Sequence, residues 1–238
     1  MAAADGPGHH PVMTNGPPRH LALIPDGNRR WARARRMTVE EGHEAGIANI
    51  GRIANAAFAA GTEIVSFWWG SPANLVERPP SEVQGIVGSL ERFLQRGADG
   101  LLERHGARFE AVGRWREITP SLGPSVAHAA SVSGAGPHRL VLLMAYDGRD
   151  ELRAAADMLR GGGSDEGEFE RALWTGHLPP VDLLIRTGGE PHLSAAFLLW
   201  RLANAQLSFP DALWPAFDAD MLAAAYARYA ATERRFGR

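Results

Sequence analysis

The chain has no cysteine among its 238 residues, which excludes disulfides, thiolate metal sites and cysteine nucleophiles. It also has no lysine, so arginine supplies all 25 of its basic side chains. No apolar run approaches the roughly 20 residues that a membrane-spanning helix needs. The first residues lack the charged start and apolar core of a signal peptide. We therefore expect a cytoplasmic protein with no transmembrane segment.

The positive and negative charges of the chain nearly balance. The formal net charge is −2, a balance that argues against general binding of nucleic acid. Residues 1–18 are rich in glycine, proline and histidine and are predicted to form a disordered tail. Residues 19–238 show no internal repeat and no second boundary, and are predicted to form one domain.

Apolar runs and turn signals predict alternating strands and helices. Strands are predicted at residues 21–24, 63–69, 107–112, 139–146, 181–186 and 206–209. Helices are predicted to follow residue 28 and to span residues 38–60, 81–104, 121–132, 150–160, 169–176, 193–205 and 220–234. This alternation indicates a single α/β domain with a mostly parallel central sheet covered by helices on both faces.

Local signals place some of the boundaries. Capping boxes, in which a side chain satisfies the first helical amides, are predicted at Thr38–Glu41 and Ser81–Gln84. Gly61 is predicted to end the first of these two helices. Residues 70–74 and 161–165 are predicted to be loops, the second of them a flexible linker.

The stretch Leu21–Trp31 combines a buried strand, a tight turn and a basic helix start. The strand should end near Pro25, which cannot donate a ladder hydrogen bond, and Asp26-Gly27-Asn28 is turn chemistry. Amides at a helix start, together with Arg29 and Arg30, favour an anion, and Asp26 can hold a divalent cation beside it. The stretch therefore predicts a site for a diphosphate with Mg²⁺.

Two further polar turns follow predicted strands, at Ser71–Asn74 and at Arg186–Glu190. Parallel sheets bind their ligands beyond the carboxyl ends of the strands, so these turns are expected to meet Asp26. The common nucleotide motifs, the H-E-x-x-H metal motif and the G-x-S-x-G esterase motif are all absent. The sequence therefore predicts a site that binds a diphosphate and a metal but carries no nucleotide-binding motif.

Five motifs occur in an order that identifies a family. They are His20–Trp31, Gly42-His43-x-x-Gly46, Arg78-Pro79, the segments Arg186–Glu190, Leu193-Ser194, Phe197–Trp200 and Leu213–Pro215 taken together, and Arg234–Gly237. Together they resemble the signatures of the cis-prenyltransferases, the undecaprenyl diphosphate synthase family. The resemblance covers nearly the whole chain after the tail and implies a cis-prenyltransferase-like fold.

The resemblance implies that the chain joins isoprenoid diphosphates through an allylic carbocation. Asp26 would help Mg²⁺ draw off the allylic diphosphate, because a metal and fixed donors stabilise the leaving group. The residues implied to cradle that diphosphate are Gly27, Asn28, Arg29, Arg30 and His43. Arg186, His192 and Ser194 would face the second diphosphate. The candidate catalytic residues are Asp26, Asn28, Asn74 and Ser194.

The resemblance also implies a homodimer, in which Arg235 and Gly237 reach the active site of the partner. Several apolar residues are candidates for lining a hydrocarbon tunnel. They are Ile64, Phe67, Leu90, Phe93, Leu94, Leu142 and Met144. An ordinary place in the core is an equally good interpretation for any one of them.

The sequence departs from the family pattern at several positions. Ser71-Pro72-Ala73-Asn74-Leu75 lacks the usual glutamate and tryptophan, and Val39 stands where the allylic site usually has an arginine. His192, Ala195 and Gln206 stand where the family has an arginine, an asparagine and a metal-binding glutamate. The Ala-Asn pair resembles the lavandulyl-type synthases, which make branched head-to-middle products. The second substrate is therefore predicted to be dimethylallyl diphosphate or another allylic diphosphate such as geranyl diphosphate.

The sequence leaves three other functions to be considered. An ordinary short-chain cis-prenyl diphosphate synthase would use isopentenyl diphosphate and show some of the same losses. A terpene cyclase or a transferase to another acceptor could use the same fold. A non-catalytic partner subunit is disfavoured, because such subunits tend to lose the residues found here as Asp26, Asn28 and Arg30.

Overall fold

The computed structural model describes residues 16–160 and 165–232. These residues form a six-stranded sheet in the order β3-β4-β2-β1-β5-β6. The strands are β1 (His20–Ile24), β2 (Ile64–Gly70), β3 (Arg108–Val112), β4 (Arg139–Met144), β5 (Leu183–Arg186) and β6 (Gln206–Ser208). Every pairing between neighbours is parallel, so the predicted single α/β domain with a parallel sheet is confirmed.

Helices connect the strands. They are α1 (Asn28–Ala34), α2 (Val39–Ala59), α3 (Pro72–Glu77), α4 (Pro80–Arg92), α5 (Ala98–His105), α6 (Trp115–Ile118), α7 (Gly123–Ser131), α8 (Gly148–Met158), α9 (Glu166–Ala172) and α10 (Ala219–Ala231). Within the described ranges, none of these helices is both long enough and apolar enough to cross a bilayer.

The four inner strands are largely buried on both faces, and their side chains alternate between two apolar clusters. Leu21 and Leu23 of β1 join the larger cluster with α2, α4 and α5, whereas Ala22 and Ile24 point to the other face. Because neighbouring residues of a strand point to opposite faces, the position of one side chain of β1 decides which cluster every other side chain of that strand enters. The larger cluster lies on the face that α2 covers.

The helix α2 begins and ends where the sequence predicts. The Thr38 hydroxyl accepts from the amide of Glu41, and the Glu41 side chain accepts from the amide of Thr38. Gly61 follows the helix with φ +96°, a left-handed conformation that glycine adopts readily. The capping box at Thr38 and the stop at Gly61 are both confirmed.

The prediction of a loop at residues 70–74 is wrong in part. Ser71 caps α3, accepting from the amide of Asn74, and Pro72 stands in the first turn. Proline fits there because the first helical amides have no partner within the helix. The side chain of Asn74 returns the bond to the amide of Ser71.

The long helix predicted at residues 81–104 is also wrong in part. Its N-cap is Pro79, without a side-chain hydrogen bond, so the capping box at Ser81 does not form. A π-helical turn at Phe93–Gly97 separates α4 from α5. Such a turn inserts one extra residue and rotates the faces of the two helices relative to each other. Leu90, Phe93, Leu94 and Leu101 all stay buried.

The helix predicted at residues 193–205 does not form. Only Ser194–Ala196 makes a 3-10 turn, and Ala195, Ala196 and Leu198 have positive φ angles. Phe197 and Leu198 are fully buried against the smaller cluster, so their apolar character reflects a buried irregular segment. The helix predicted at residues 169–176 is likewise displaced, to Glu166–Ala172.

Three predictions lie wholly or largely outside the described residues. They concern the tail of residues 1–18, of which only 16–18 are described, the linker of residues 161–165, of which only 165 is described, and the C-terminal motif that contains Arg235 and Gly237.

Candidate active site

The site lies where two neighbouring strands end. β1 and β5 are adjacent, although their connections leave in opposite directions across the sheet. Asp26 follows β1, and Thr187 follows β5. The Thr187 hydroxyl accepts from the Asp26 amide at 2.9 Å and donates to the Asp26 carbonyl at 2.8 Å. This junction is the switch point of the sheet, where open α/β folds bind ligands.

The carboxylate of Asp26 lies between two arginines. Its Oδ2 accepts from Nη2 of Arg186 at 2.8 Å, and its Oδ1 lies 3.3 Å from Nη2 of Arg30. Arg30 also donates from Nη1 to the carbonyl of Gly188 at 2.9 Å. The structure therefore brings together Asp26, Arg30 and Arg186, three of the residues predicted for this site.

Arg186 is the most buried charged group of this cluster. Its other terminal nitrogen donates to the carbonyl of His192 at 2.9 Å and to the hydroxyl of Ser194 at 2.8 Å. Its Nε is buried and has no hydrogen-bond partner among the described residues. The side chain of His192 is exposed, so this residue contributes its backbone carbonyl to the arginine and not its ring.

A second layer of contacts fixes the turn itself. The amide of Trp214 donates to the carbonyl of Asp26 at 2.9 Å. Gly27 has φ +110°, and a Cβ there would lie 2.8 Å from the side chain of Leu213. Only glycine fits this combination of left-handed backbone and close approach. The motif Leu213-Trp214-Pro215 therefore has a structural role, which is to hold the Asp26 turn by packing and by a backbone hydrogen bond.

Two glycines bring α2 close to the start of α1. A Cβ at Gly42 would lie 2.7 Å from the backbone carbonyl oxygen of Asn28, and one at Gly46 would collide with the Asn28 side chain. The Oδ1 of Asn28 is buried and has no hydrogen-bond partner. The glycines of the Gly42-His43-x-x-Gly46 motif thus allow the close packing that positions Asn28 and His43.

His43 lies on the first turns of α2, facing a carboxylate that the sequence did not assign to the site. Its Nε2 is 3.4 Å from Oε1 of Glu82 on α4, and Arg29 and Arg78 approach the same oxygen. Burial, and then the positive charge of Arg78, lower the pKa of His43 to about 4. His43 is therefore neutral near pH 7. Arg78 and Glu82 are four residues apart, but Arg78 ends α3 and Glu82 lies on α4, so helical spacing in the sequence does not identify this pair.

Two other predicted residues make no described contact with Asp26. Asn74 is partly buried and hydrogen-bonds within the cap of α3. Gln206 pairs in register with Leu183, at the opposite end of β5 from Arg186, and its side-chain Nε2 donates to the carbonyl of Tyr229. Within this chain, Gln206 therefore does not face Asp26.

The apolar candidates for a tunnel divide between the two faces of the sheet. Phe67, Leu90, Phe93 and Leu94 belong to the larger cluster, together with Leu142 and Met144. Ile64 belongs to the smaller cluster on the opposite face and so does not pack with the other candidates, and the lining of a tunnel by any of them stays a prediction. A groove of about 680 Å³ lies between α2, α4 and α5, and the candidate Phe93 lines it together with Ile47 and Leu101.

The donor set suits a metal that arrives with phosphate. In residues 16–160 and 165–232, no group of three or more His, Asp or Glu side chains could hold a metal ion by itself. Asp26 nevertheless offers a partly exposed carboxylate surrounded by arginines. Mg²⁺ commonly binds through one or two carboxylates plus substrate phosphates, and the residues present fit that arrangement.

Comparisons with known proteins agree with this geometry. Residues 24–237 match the prenyltransferase family model described as "Putative undecaprenyl diphosphate synthase". An isoprenyl transferase of Zymomonas mobilis is 37% identical over 231 aligned positions, covering 92% of both chains. A ditrans,polycis-undecaprenyl-diphosphate synthase, (2E,6E)-farnesyl-diphosphate specific, of Xanthomonas axonopodis pv. citri is 36% identical over 242 positions, covering 97% of this chain and 93% of its own.

A solved structure is also similar. Lavandulyl diphosphate synthase from Lavandula x intermedia, in complex with dimethylallyl diphosphate, superposes with a TM-score of 0.87 at 32% identity. The match covers 93% of this chain and 98% of the other. The fold and the matches define an enzyme that transfers prenyl groups. The chain belongs to the undecaprenyl diphosphate synthase family of prenyltransferases.

Proposed function

We propose that this enzyme joins two short allylic diphosphates, most simply two molecules of dimethylallyl diphosphate, into a branched lavandulyl-type diphosphate. The observation that carries the proposal is the state of the second diphosphate site. The segment from Arg186 to Ser194 contains a single arginine, and that arginine is shared between Asp26 and Ser194. His192 turns its ring to solvent and offers only its carbonyl to Arg186.

A site with one arginine holds a diphosphate less rigidly than a site with two. An arginine can make two parallel hydrogen bonds to phosphate, which fix orientation as well as affinity. A second substrate held by Arg186 and Ser194 alone can present a different alkene carbon to the cation. A misplacement of about 1 Å is enough to change which atom reacts. The similarity to lavandulyl diphosphate synthase supports the same conclusion.

The reaction begins at the allylic site. Arg29, Arg30 and Arg78 bind the diphosphate of the first substrate and stabilise the negative charge that grows as the C–O bond breaks. Mg²⁺, held by Asp26 and the phosphates, would supply further stabilisation of that leaving group. When phosphate engages Arg30 and Arg186, their ion pairs with Asp26 are exchanged for phosphate contacts, and the carboxylate becomes available to the metal.

The new bond forms between C1 of the allylic cation and C2 of the second dimethylallyl diphosphate. A tertiary cation results, and loss of a proton from one of its methyl groups restores a double bond. The amide of Asn74 and the hydroxyl of Ser194 are both weak bases, and both are engaged in hydrogen bonds. We assign the proton to an oxygen of the released diphosphate, which is the strongest base at the site.

The apolar face above the sheet favours a short product. Leu90, Leu94, Phe67 and Leu142 are fully buried and pack into one continuous cluster with α2. A long prenyl chain would have to displace these side chains, and opening a packed core costs several kcal/mol. Two five-carbon units require the smallest displacement.

Purified protein incubated with dimethylallyl diphosphate and Mg²⁺ tests the proposal. After dephosphorylation, mass spectrometry and NMR should identify a ten-carbon branched alcohol. Addition of isopentenyl diphosphate should change neither the product nor its rate of formation. A linear cis product that requires isopentenyl diphosphate would contradict the proposal.

A second candidate is an ordinary short-chain cis-prenyl diphosphate synthase. It is favoured by the similarity to the enzyme of Xanthomonas axonopodis, whose name specifies farnesyl diphosphate. The same incubation with geranyl and isopentenyl diphosphates distinguishes the two, because only this candidate adds isopentenyl units in a linear chain.

We further propose a homodimer whose C-terminal Arg235 and Gly237 act in the partner's site. Leu207 lies in the edge strand β6 and Leu199 lies in the segment before it, and their side chains are exposed to 50% and 45%. Exposed apolar side chains at a sheet edge suit a contact with a second chain. Light scattering at micromolar concentration should give twice the mass of the chain. Deletion of residues 234–238 should raise the KM for the second substrate. A monomer, or unchanged kinetics, would count against this arrangement.

A further inference from the structure

Three basic groups from three different elements approach one carboxylate oxygen. Arg29 of α1 lies 3.3 Å from Oε1 of Glu82, His43 of α2 lies 3.4 Å from it, and Arg78 at the end of α3 lies 3.5 Å from it. The side chains of His43 and Glu82 are only 9% and 13% exposed. Glu82 is therefore the centre of a nearly buried charged cluster beside the Asp26 turn.

None of these contacts is a well-formed hydrogen bond. Charge-assisted N–H to O bonds are usually about 2.7–2.9 Å long, and all three distances exceed that range. Three buried atoms, Oε1 of Glu82, Nε2 of His43 and Nε of Arg78, have no hydrogen-bond partner in the part of the chain that the structure describes. Burying charged groups without close partners costs free energy. The cluster is thus arranged around an anion that fits it less well than another anion would.

We propose that Glu82 is a displaceable internal anion that occupies the place of a substrate phosphate. It keeps Arg29, His43 and Arg78 directed at the site in the empty enzyme, and it opposes the binding of an allylic diphosphate or of free pyrophosphate. This inference rests on the proposed function, since it assumes that the basic groups receive a diphosphate. It assigns to Glu82 a role in setting how tightly that diphosphate is held and how readily it leaves.

The charges around the site support this direction of effect. Burial and the neighbouring Arg78 hold the pKa of His43 at about 4, so His43 contributes a hydrogen-bond donor and no charge near neutral pH. The positive charges that face Glu82 are those of Arg29 and Arg78. A carboxylate among them cancels half of this charge and repels an arriving phosphate at short range. Removing its charge should therefore strengthen the binding of phosphate.

The test uses inorganic pyrophosphate as the probe, titrated calorimetrically into the full-length protein in a chelating buffer. Glu82→Gln keeps the shape of the side chain and removes its charge, and should bind pyrophosphate about tenfold more tightly than wild type. In turnover with dimethylallyl diphosphate, this variant should have a lower KM. It should also have a lower kcat, because the diphosphate product leaves more slowly.

Glu44→Gln is the matched control. Glu44 also links α2 to α4, through a 3.2 Å contact with Arg92, but it is 61% exposed and its partner is a single arginine. This variant removes the same charge from the same pair of helices, and its affinity for pyrophosphate should equal that of wild type. Equal tightening in both variants would indicate a general effect of net charge and would overturn the assignment to Glu82.

Weaker or unchanged binding by Glu82→Gln would also overturn the inference, because Glu82 would then be a support for the arginines and not their competitor. If that variant does not fold, Glu82→Asp provides the same test, since it withdraws the carboxylate by one methylene and should tighten binding by a smaller factor. Failure of either variant to tighten binding leaves the proposed function intact, provided that wild type still converts dimethylallyl diphosphate. Absence of pyrophosphate binding in both wild type and Glu82→Gln would overturn the inference alone, because conversion of dimethylallyl diphosphate by wild type tests the proposed function separately.

Discussion

Asp26 and Arg186 form a 2.8 Å ion pair between residues 160 positions apart in the sequence. One follows β1 and the other ends β5, and the parallel pairing of these strands places both at the same edge of the sheet. The same guanidinium also binds the Ser194 hydroxyl. Arg186 therefore connects the proposed metal-binding carboxylate with the proposed site of the second substrate.

We expect Asp26→Asn to abolish most of the activity while the protein stays folded. The substitution keeps the side-chain shape but removes the charge that would bind Mg²⁺, so kcat/KM should fall by about a thousandfold or more. Asp26 is 31% exposed but pairs with the buried Arg186, so its loss should lower the free energy of unfolding by about 1–3 kcal/mol and leave the protein folded. Product formation and urea unfolding measure the two effects separately. Wild-type turnover in the folded variant would refute the role of Asp26.

Arg186→Lys should mainly affect the second substrate. Lysine carries the charge, but it cannot donate to Asp26, His192 and Ser194 from the fixed fork of a guanidinium. We expect kcat/KM to fall by about a hundredfold, and Ser194→Ala, which removes one of these partners, to lower it by about tenfold. Steady-state kinetics on both variants provide the comparison. A larger loss in Ser194→Ala than in Arg186→Lys would contradict this order.

Thr187→Val tests the junction between the two strands. Valine has the shape of threonine but cannot make the two hydrogen bonds to the backbone of Asp26. We expect a loss of about 1–3 kcal/mol in the free energy of unfolding and a clear fall in kcat, because the Asp26 turn is no longer held. Thr187→Ser keeps the hydroxyl and should retain most of both quantities. Equal behaviour of the two variants would show that the hydroxyl is unimportant.

Acid should destabilise the fold through two buried histidines. Burial lowers the pKa of both His20 and His43 to about 4. His20 can donate from Nδ1 to the carbonyl of Pro179, while its Nε2 faces the Ser66 hydroxyl at 2.8 Å. Because the unfolded chain takes up protons near pH 6.5, each neutral histidine stabilises the fold above that pH. That contribution, about 3 kcal/mol for each group, is lost as the pH falls from 6.5 to 4.

Urea unfolding between pH 7.5 and 4.5 measures this loss. His20→Gln removes one of the two titrating groups, so its free energy of unfolding should depend less steeply on pH. His192→Gln is the control, because its side chain is exposed, and it should keep the wild-type slope. The same slope in all three proteins would show that folding does not lower the pKa of His20.

The strand-end turns of the site were predictable from the sequence because each depends on short-range chemistry. Asp26-Gly27-Asn28 is a turn after a buried strand, and Arg186 ends another, so the parallel sheet alone predicts that they meet. The cluster around Glu82 was not predictable in the same way. Glu82 lies inside the segment Ser81–Gln84 that is predicted as a capping box, a pattern that assigns no partner to its carboxylate, whereas α4 begins at Pro80 and Glu82 faces Arg29 and His43.

The segment after β5 shows a different limit of sequence patterns. Its apolar residues match a helical period, yet Phe197 and Leu198 are buried in an irregular segment. Burial on an irregular backbone and burial on a helix face leave the same composition. The hydrogen bonds from Arg186 to the His192 carbonyl and the Ser194 hydroxyl, six and eight residues further along the chain, hold the segment in this irregular path.

The most direct test of this account is the skeleton of the product formed from dimethylallyl diphosphate alone, determined by NMR after dephosphorylation. We predict a branched ten-carbon alcohol from wild type and none from Asp26→Asn. We also predict that isopentenyl diphosphate is not consumed when both substrates are supplied. A linear cis alcohol that forms only when isopentenyl diphosphate is present would contradict this account.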